Sequence, residues 1–240
     1  MSLHVNGQLL VSSPDFITET ATSTTITANS NKGNKGLLGN TNDIYVHIGV
    51  ITNLSTGASD WKYVLSTWGT SNANFKCTSL GNNMWSYTIN RDLRSHFGIT
   101  NPAERIVKIA ILFRDAAGNS VLRNADGSDM YLNVYDNNIH VRIDSPLLQP
   151  TFSKNIESIT KKLGDTIRVY GKANQNANLS IYFNDTLLTS ANNANTISAY
   201  KVINKVGAQK IYLTGRSPRI PPLRCLYFTV LFGKVLHFLV

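Results

Sequence analysis

Cysteine, charge and long apolar runs are all scarce in this sequence, and each scarcity closes off a class of protein. The two cysteines, Cys77 and Cys225, fall in what read as different modules, so a disulfide framework is not expected to hold the fold together. Neither has a His or a second Cys within a few residues, which leaves no spacing for a structural zinc site. Only 15% of residues are charged, but 42% are apolar, enough to bury a core, so the chain reads as globular and uncharged-polar rather than disordered. Met1–Val11 lacks the basic segment and apolar stretch of a signal peptide. The apolar residues from Cys225 to Val240 are interrupted by Lys234 and His237 and fall short of the roughly 20 that span a bilayer. No membrane partner is therefore expected.

The formal charge of +9 points toward nucleic acid until its distribution is read. Arg216, Arg219, Arg224 and Lys234 stand in the last 25 residues without an acid, and elsewhere the bases are scattered, the longest run being Lys161-Lys162. No basic helix or recognisable DNA- or RNA-binding signature is present, so no nucleic-acid partner is expected. What is abundant is Asn, Ser and Thr. These short side chains compete with the helical backbone for hydrogen bonds and favour turns and sheet edges, which predicts an all-β fold.

The periodicity agrees. In Asp43–Val50, Ile44, Val46 and Ile48 share one face and Tyr45 and His47 the other, so the aromatic face is expected to be the outer one. Trp61–Trp68 is β-prone. Trp85, Tyr87 and Ile89 alternate with Ser86 and Thr88 behind the turn signal Gly81-Asn82-Asn83. Ile106–Phe113 is apolar on both faces, as a covered central strand should be. Ser120–Arg123 and Met130–Tyr135 complete the set, with one short helical stretch at Arg91–Phe97 and a long loop over Asn29–Asn42. These segments predict one β-sandwich over residues 10–143.

Pro146 and Pro150 mark a stiff linker over 144–150. Beyond it, Thr166–Tyr170, Asn178–Phe183, Thr186–Leu188, Ala199–Ile203 and Gln209–Thr214 read as strands, with Asn184-Asp185 a two-residue hairpin turn. The reading is of two consecutive immunoglobulin-like β-sandwich modules, the second covering 151–215 and altered or truncated at its C-terminus. The tail, 216–240, has no Asn and no acid and is rich in Pro, Arg, Leu and Phe. It reads as out-of-frame sequence or as a closing apolar strand pair.

Five stretches carry a resemblance: Asp43 to Ser55, Asp60-Trp-Lys-Tyr63, Gly81 to Tyr87, Ile109 to Asp115 and Arg123 to Tyr131, joined by Asn34-Lys-Gly-Leu-Leu38. Together they resemble the non-catalytic N-terminal region of α-amylase-family (glycoside hydrolase family 13) proteins secreted by Bacteroidetes-type bacteria. More distantly the layout is similar to starch-binding modules of families 25 and 26. The resemblance implies an accessory module that binds or orients an α-glucan polysaccharide, acting outside the cell or at its surface as part of a longer hydrolase. It places Tyr45, His47 and Trp61 at sugar-facing positions and Phe113, Asp115, Gly118 and Asn119 in the later turn. Where those binders carry another Trp after that turn, this chain has Ser120, Val121 and Leu122, one stacking ring fewer. No length remains after residue 215 for the about 250 residues of a (β/α)₈ barrel, so the chain is expected to be a monomeric, non-catalytic fragment without a cofactor.

An α-glucan offers apolar C–H faces fringed by hydroxyls, which call for flat aromatics beside short polar groups. Tyr45, His47, Trp61, Arg114, Asp115 and Asn119 supply both kinds. The alternative is that Trp61 and Trp68 are core residues. Asn124, Asp126 and Asp129 alternate like a calcium loop but lack a later bidentate acid, so a hairpin turn at Asp126-Gly127 competes with a metal site. Asp126 and Asp129 lie in a single turn and do not form the flanking carboxylate pair a glycosidase needs. His96 and His140 read as surface or packing residues.

Overall fold

The structure, a computed structural model, describes residues 8–146 and 159–217. Most of the linker and nearly all of the 216–240 tail, with Cys225, lie outside the described residues. The chain divides into two compact units, 1–136 and 137–240. Its elements are nearly all strands, so the all-β expectation holds.

In the first unit β1 (Leu10–Ser13), β3 (Thr24–Asn29), β6 (Met84–Ile89) and β5 (Thr78–Gly81) form one sheet in that order. A second sheet runs β2 (Ile17–Thr18), β9 (Met130–Tyr135), β7 (Ile106–Asp115) and β4 (Ile44–Thr52), with β8 (Val121–Leu122) beside β7. Pro14, which has no N–H to donate to a ladder, stands where the chain leaves one sheet for the other. The alternation read from the sequence sets the core between the sheets. Ile26, Trp85, Tyr87 and Ile89 are buried from one side, and Val46, Ile48, Ile109, Ile111 and Phe113 from the other. Leu112 and Ala110, on the opposite face of β7, are buried as well, as a strand covered on both sides requires.

Between Ile89 and β7 the chain makes its one α-helix among the described residues, α1 (Leu93–Phe97). Asp92 caps it, accepting a hydrogen bond from the Ser95 N–H at 2.9 Å, and Gly98 at φ 71° ends it in the left-handed conformation. The i, i+4 pair Leu93 and Phe97 faces the core. Arg94 ties this corner down, donating to the carbonyl oxygens of Glu104 and Asn101 at 2.6 Å each.

One segment departs from the sequence reading. Trp61–Trp68 is not a strand; it touches β4 through an isolated bridge between Lys62 and Val50 and a bond from the Leu65 N–H to the Ile48 carbonyl. Tyr63 sits at φ 52°, in the left-handed region that extended backbone excludes, and this interrupts any ladder there.

In the second unit the five short strands expected there are three, together with a strand at the start of the unit. β10 (Val141–Ser145) pairs with β11 (Thr166–Phe183), β11 pairs along its length with β12 (Thr186–Val202), and β13 (Ile211–Arg216) pairs with the far half of β11. Val141–Ser145, read from sequence as the end of the first module and the start of the linker, therefore belongs to this unit. The polar runs Asn174–Asn178 and Ser190–Thr196 lack hydrophobic alternation, but they contain no Pro or Gly to break a ladder.

Register shifts between Lys172 and Leu179 let β11 fold back on itself. Leu213 pairs with Ile181, yet its Cδ2 lies 2.4 Å from where a Cβ on Gly171 would stand. The stretch between positions 171 and 181 would span roughly 33 Å if straight, so the two halves of β11 must lie in facing layers. Between them sit Val169, Ala177, Leu179, Ile181, Ile197 and Leu213.

The turn joining β11 to β12 needs positive φ at both central residues, and Asn184 (48°) and Asp185 (63°) supply it. Asn184 also accepts from the Lys210 N–H at 2.8 Å and donates to Gln209. A β-branched residue is strained in this conformation. Asn184→Val should therefore lower stability by about 1–2 kcal/mol, measured as a lower urea midpoint for the second unit.

Candidate functional site

β4 has one ladder partner, β7, and its other edge is covered by the segment leading to β5. Val50 and Lys62 exchange backbone hydrogen bonds of 2.9 and 2.8 Å, Leu65 N–H donates to the Ile48 carbonyl at 3.3 Å, and Cys77 N–H donates to that of Ile44 at 2.7 Å. An open edge would be a template for pairing with another chain. Residues 53–77 occupy it without becoming a strand and then lie across the sheet's outer face.

Opposite residues in the β4–β7 ladder share a face, so Tyr45 stands beside Arg114 and His47 beside Leu112. Over them gather the rings. His47 stacks on Trp61 (centroids 5.8 Å, planes 28° apart) and meets Trp68 edge-on at 5.1 Å. Trp61 lies edge-on to Tyr131 at 6.1 Å, and its Nε1–H donates to the Tyr131 hydroxyl at 3.2 Å. That hydroxyl donates in turn to the Ala58 carbonyl at 2.7 Å. His47 Nδ1 lies 3.2 Å from Ser66 Oγ. Trp68 is 42% exposed, while His47 and Trp61 are half-buried. Trp68 packs on Gly118, where a Cβ would come within 2.5 Å of the indole Nε1 and where φ is 77°, so both space and conformation require glycine.

Tyr45, expected to face solvent, is buried at 7% exposure. The alternation placed it correctly away from the inter-sheet core, but the covering segment closes this face too. Arg114 is fully buried, its guanidinium 5.9 Å from the Tyr45 ring centroid and 5.6 Å from that of Trp68. It donates to the carbonyl oxygens of Asp115, Ala116 and Thr70 at 2.8, 2.9 and 2.8 Å. Burial pulls its pKa down, and Asp115 opposes the shift. The Asp115 carboxylate accepts from the N–H groups of Asn119 (2.8 Å) and Ser120 (3.2 Å), closing the β7–β8 turn. Asn119 is exposed on that turn.

Of the six residues picked from sequence, His47 and Trp61 thus enter the ring group, Tyr45 and Arg114 lie beneath it, and Asp115 and Asn119 build the neighbouring turn. Trp68 and Tyr131 were missed. Trp68 was readable only as a lone β-prone aromatic, and its tie to Gly118 spans a separation that periodicity does not register.

In the calcium-like stretch one carboxylate oxygen of Asp126 and one of Asp129 are already engaged. Asp126 Oδ1 accepts from the N–H and Oγ–H of Ser128 at 3.0 and 2.6 Å, Asp129 pairs with Arg123, and Asn124 donates to Ser128 Oγ and the Asp129 carbonyl. This is the side-chain bonding of a hairpin turn. Among the described residues no group of three or more His, Cys, Asp or Glu side chains could hold a metal ion. Nearby, Glu104 is held by the Thr52 and Tyr63 hydroxyls at 2.8 and 2.6 Å, which keeps its pKa below the ordinary value. Compared with known proteins, the chain matches no family model and no curated protein.

Arg114→Ala removes three charge-assisted bonds and should cost about 3 kcal/mol in urea unfolding, with faster protease cleavage between residues 53 and 77. Lysine should not rescue it, because a single ammonium cannot span the three carbonyls. Burial lowers the pKa of His47, aided by Arg114 and opposed by Asp129, and burial likewise lowers that of His96, aided by Arg91. With folded values below the ordinary 6.5, the unfolded chain binds the extra protons. Stability is therefore fully present above that pH and is lost as pH falls through it toward the folded values. Urea midpoints at stepped pH should show this slope, and His47→Gln should flatten it.

Proposed function

We propose that the first unit is a non-catalytic accessory module that holds starch-like polysaccharide for an α-glucan-degrading hydrolase, with Trp68 as the contacting ring and Trp61 supporting it. The observation that carries this reading is the solvent-facing Trp68 within the His47, Trp61 and Tyr131 group. A flat, partly exposed indole braced by other rings presents an apolar face to a pyranose at little cost in conformational entropy. The non-catalytic reading is supported by the work the nearby acids already do: Asp115 and Asp126 hold turns, Asp129 pairs with Arg123, and Glu104 accepts two hydroxyl bonds.

Immunoglobulin-like architecture is part of the proposal. The order β1-β3-β6-β5 against β4-β7-β9 follows the constant-type ABED and CFG arrangement, which supports it for the first unit. The doubled-over hairpin of the second unit is read as a reduced sandwich of the same kind. The whole protein is proposed to work as a monomer outside the cell or at its surface. Among the described residues no helix is long and apolar enough to cross a membrane.

A purely structural spacer is the alternative, favoured by the internal bonding of Arg114 and Asp115, which leaves few polar groups beside the rings for sugar hydroxyls. Electrophoresis in gels containing amylopectin separates the two. Wild type should be retarded and Trp68→Ala should bind about tenfold more weakly, a change of 1.4 kcal/mol, with the circular dichroism spectrum of wild type. Mobility indifferent to the polysaccharide would leave the spacer reading in place.

A further inference from the structure

The two units differ sharply in charge. Residues 8–136 carry ten Lys and Arg against ten Asp and Glu, a net charge of zero. The described residues of the second unit carry nine Lys and Arg against Asp144, Asp165 and Asp185, a net +6. Its three acids are engaged. Asp144 is buried and held by Arg142 (2.6 Å) and Lys172 (3.6 Å), Asp165 accepts the Lys162 N–H at 2.9 Å, and Asp185 accepts from the Tyr212 hydroxyl at 3.1 Å with Lys210 nearby at 3.7 Å. Four of the unit's described bases, Lys162, Arg168, Lys205 and Arg216, are exposed.

Part of that charge is ordered on one face. Along β11 the buried positions are Ile167, Val169, Gly171 and Ala173, so Arg168, Tyr170 and Lys172 point the other way. The register sets Tyr200 opposite Arg168, Ser198 opposite Tyr170 and Thr196 opposite Lys172. Arg168 is exposed, its guanidinium 5.8 Å from the centroid of the Tyr200 ring, and Tyr200 is the most exposed large hydrophobic side chain among the described residues at 65%. Among the described residues no acid lies within ion-pair reach of Arg168. Desolvating such a cation against an anionic group gives a charge-assisted bond, and the ring beside it offers an apolar surface.

We propose that this outward face of β11 and β12, centred on Arg168 and Tyr200, binds an acidic polysaccharide, one bearing carboxylate or sulfate groups. The chemistry is complementary at three points: the Arg168 guanidinium meets an anionic group, the Tyr200 ring meets a pyranose C–H face, and Ser198 and Thr196 reach ring hydroxyls. A neutral glucan satisfies only the last two. This site lies in the second unit and stands or falls separately from glucan binding at Trp68.

The test is affinity electrophoresis of the full chain at low salt against polygalacturonate, dextran sulfate and neutral dextran, with polyuridylate as the nucleic-acid comparison. Retention by one or both acidic polysaccharides and not by dextran is expected, and which of the two is preferred tells carboxylate from sulfate. Arg168→Glu should weaken it at least tenfold and Tyr200→Ala about threefold. Lys32→Glu, the same charge change on an exposed position of the first unit, should leave it unchanged. Should Arg168→Glu disturb the circular dichroism spectrum, Arg168→Gln replaces it, with a loss of about fivefold expected. Equal losses from Lys32→Glu and the Arg168 variant mean that net charge alone drives retention and overturn the proposal. So does polyuridylate held as tightly as the polysaccharides, or no retention by either acidic polysaccharide.

Discussion

A charged side chain with no exposed surface must find its hydrogen-bond partners inside the protein, and the outer side of the first unit is arranged around that need in Arg114. Its donors reach carbonyls on both sides of it, Asp115 and Ala116 in its own turn and Thr70 in the segment that crosses the sheet. Engaging its two terminal nitrogens therefore fastens the crossing segment down at Thr70, while its buried Nε–H has no hydrogen-bond partner among the described residues. Once that segment is fixed, it covers the β4 edge, buries Tyr45 and carries Trp61 and Trp68 to His47. The ring group follows from a buried cation rather than from any aromatic run in the sequence.

Some of this was legible in the residues and some was not. Alternation of residue types made β4 and β6 readable, and a run apolar on both faces made β7 readable, because hydrophobic pattern and hydrogen-bond ladder there ask for the same backbone. Asp92 and Gly98 likewise bracket α1 with a cap at each end. The Trp61–Trp68 segment has β propensity but bends at Tyr63, since its contacts with the sheet outweigh its local preference. In the second unit the error runs the other way. The Asn and Ala runs carry no periodic signal, yet β11 and β12 continue through them, because each strand supplies the other's backbone partners and neither run contains a Pro or Gly.

The candidate site shows the same division. His47 and Trp61 came from a pattern of residue types. Trp68 and Tyr131 depend on which loop lies over which strand, information carried by Thr70, Gly118 and Ala58 at long sequence separations. Asp115 and the residues from Asn124 to Asp129 looked like ligands because short oxygen-bearing side chains suit both recognition and tight turns. Here the backbone N–H groups of Asn119, Ser120 and Ser128 claim several of those oxygens.

The turn at Asn184 and Asp185 has a further consequence for how the second unit reaches its native state. It joins the two longest strands through the shortest connection available to antiparallel neighbours, so their first cross-strand contacts close a very small loop and lose little chain entropy. Pairing can then zip outward from Phe183 and Thr186, each new rung adding to an existing ladder. β10 and β13, joined to β11 across longer stretches of chain, dock onto a hairpin that already exists. In this half of the molecule the slow, long-range search typical of sandwiches is reduced to adding two short strands to a local one.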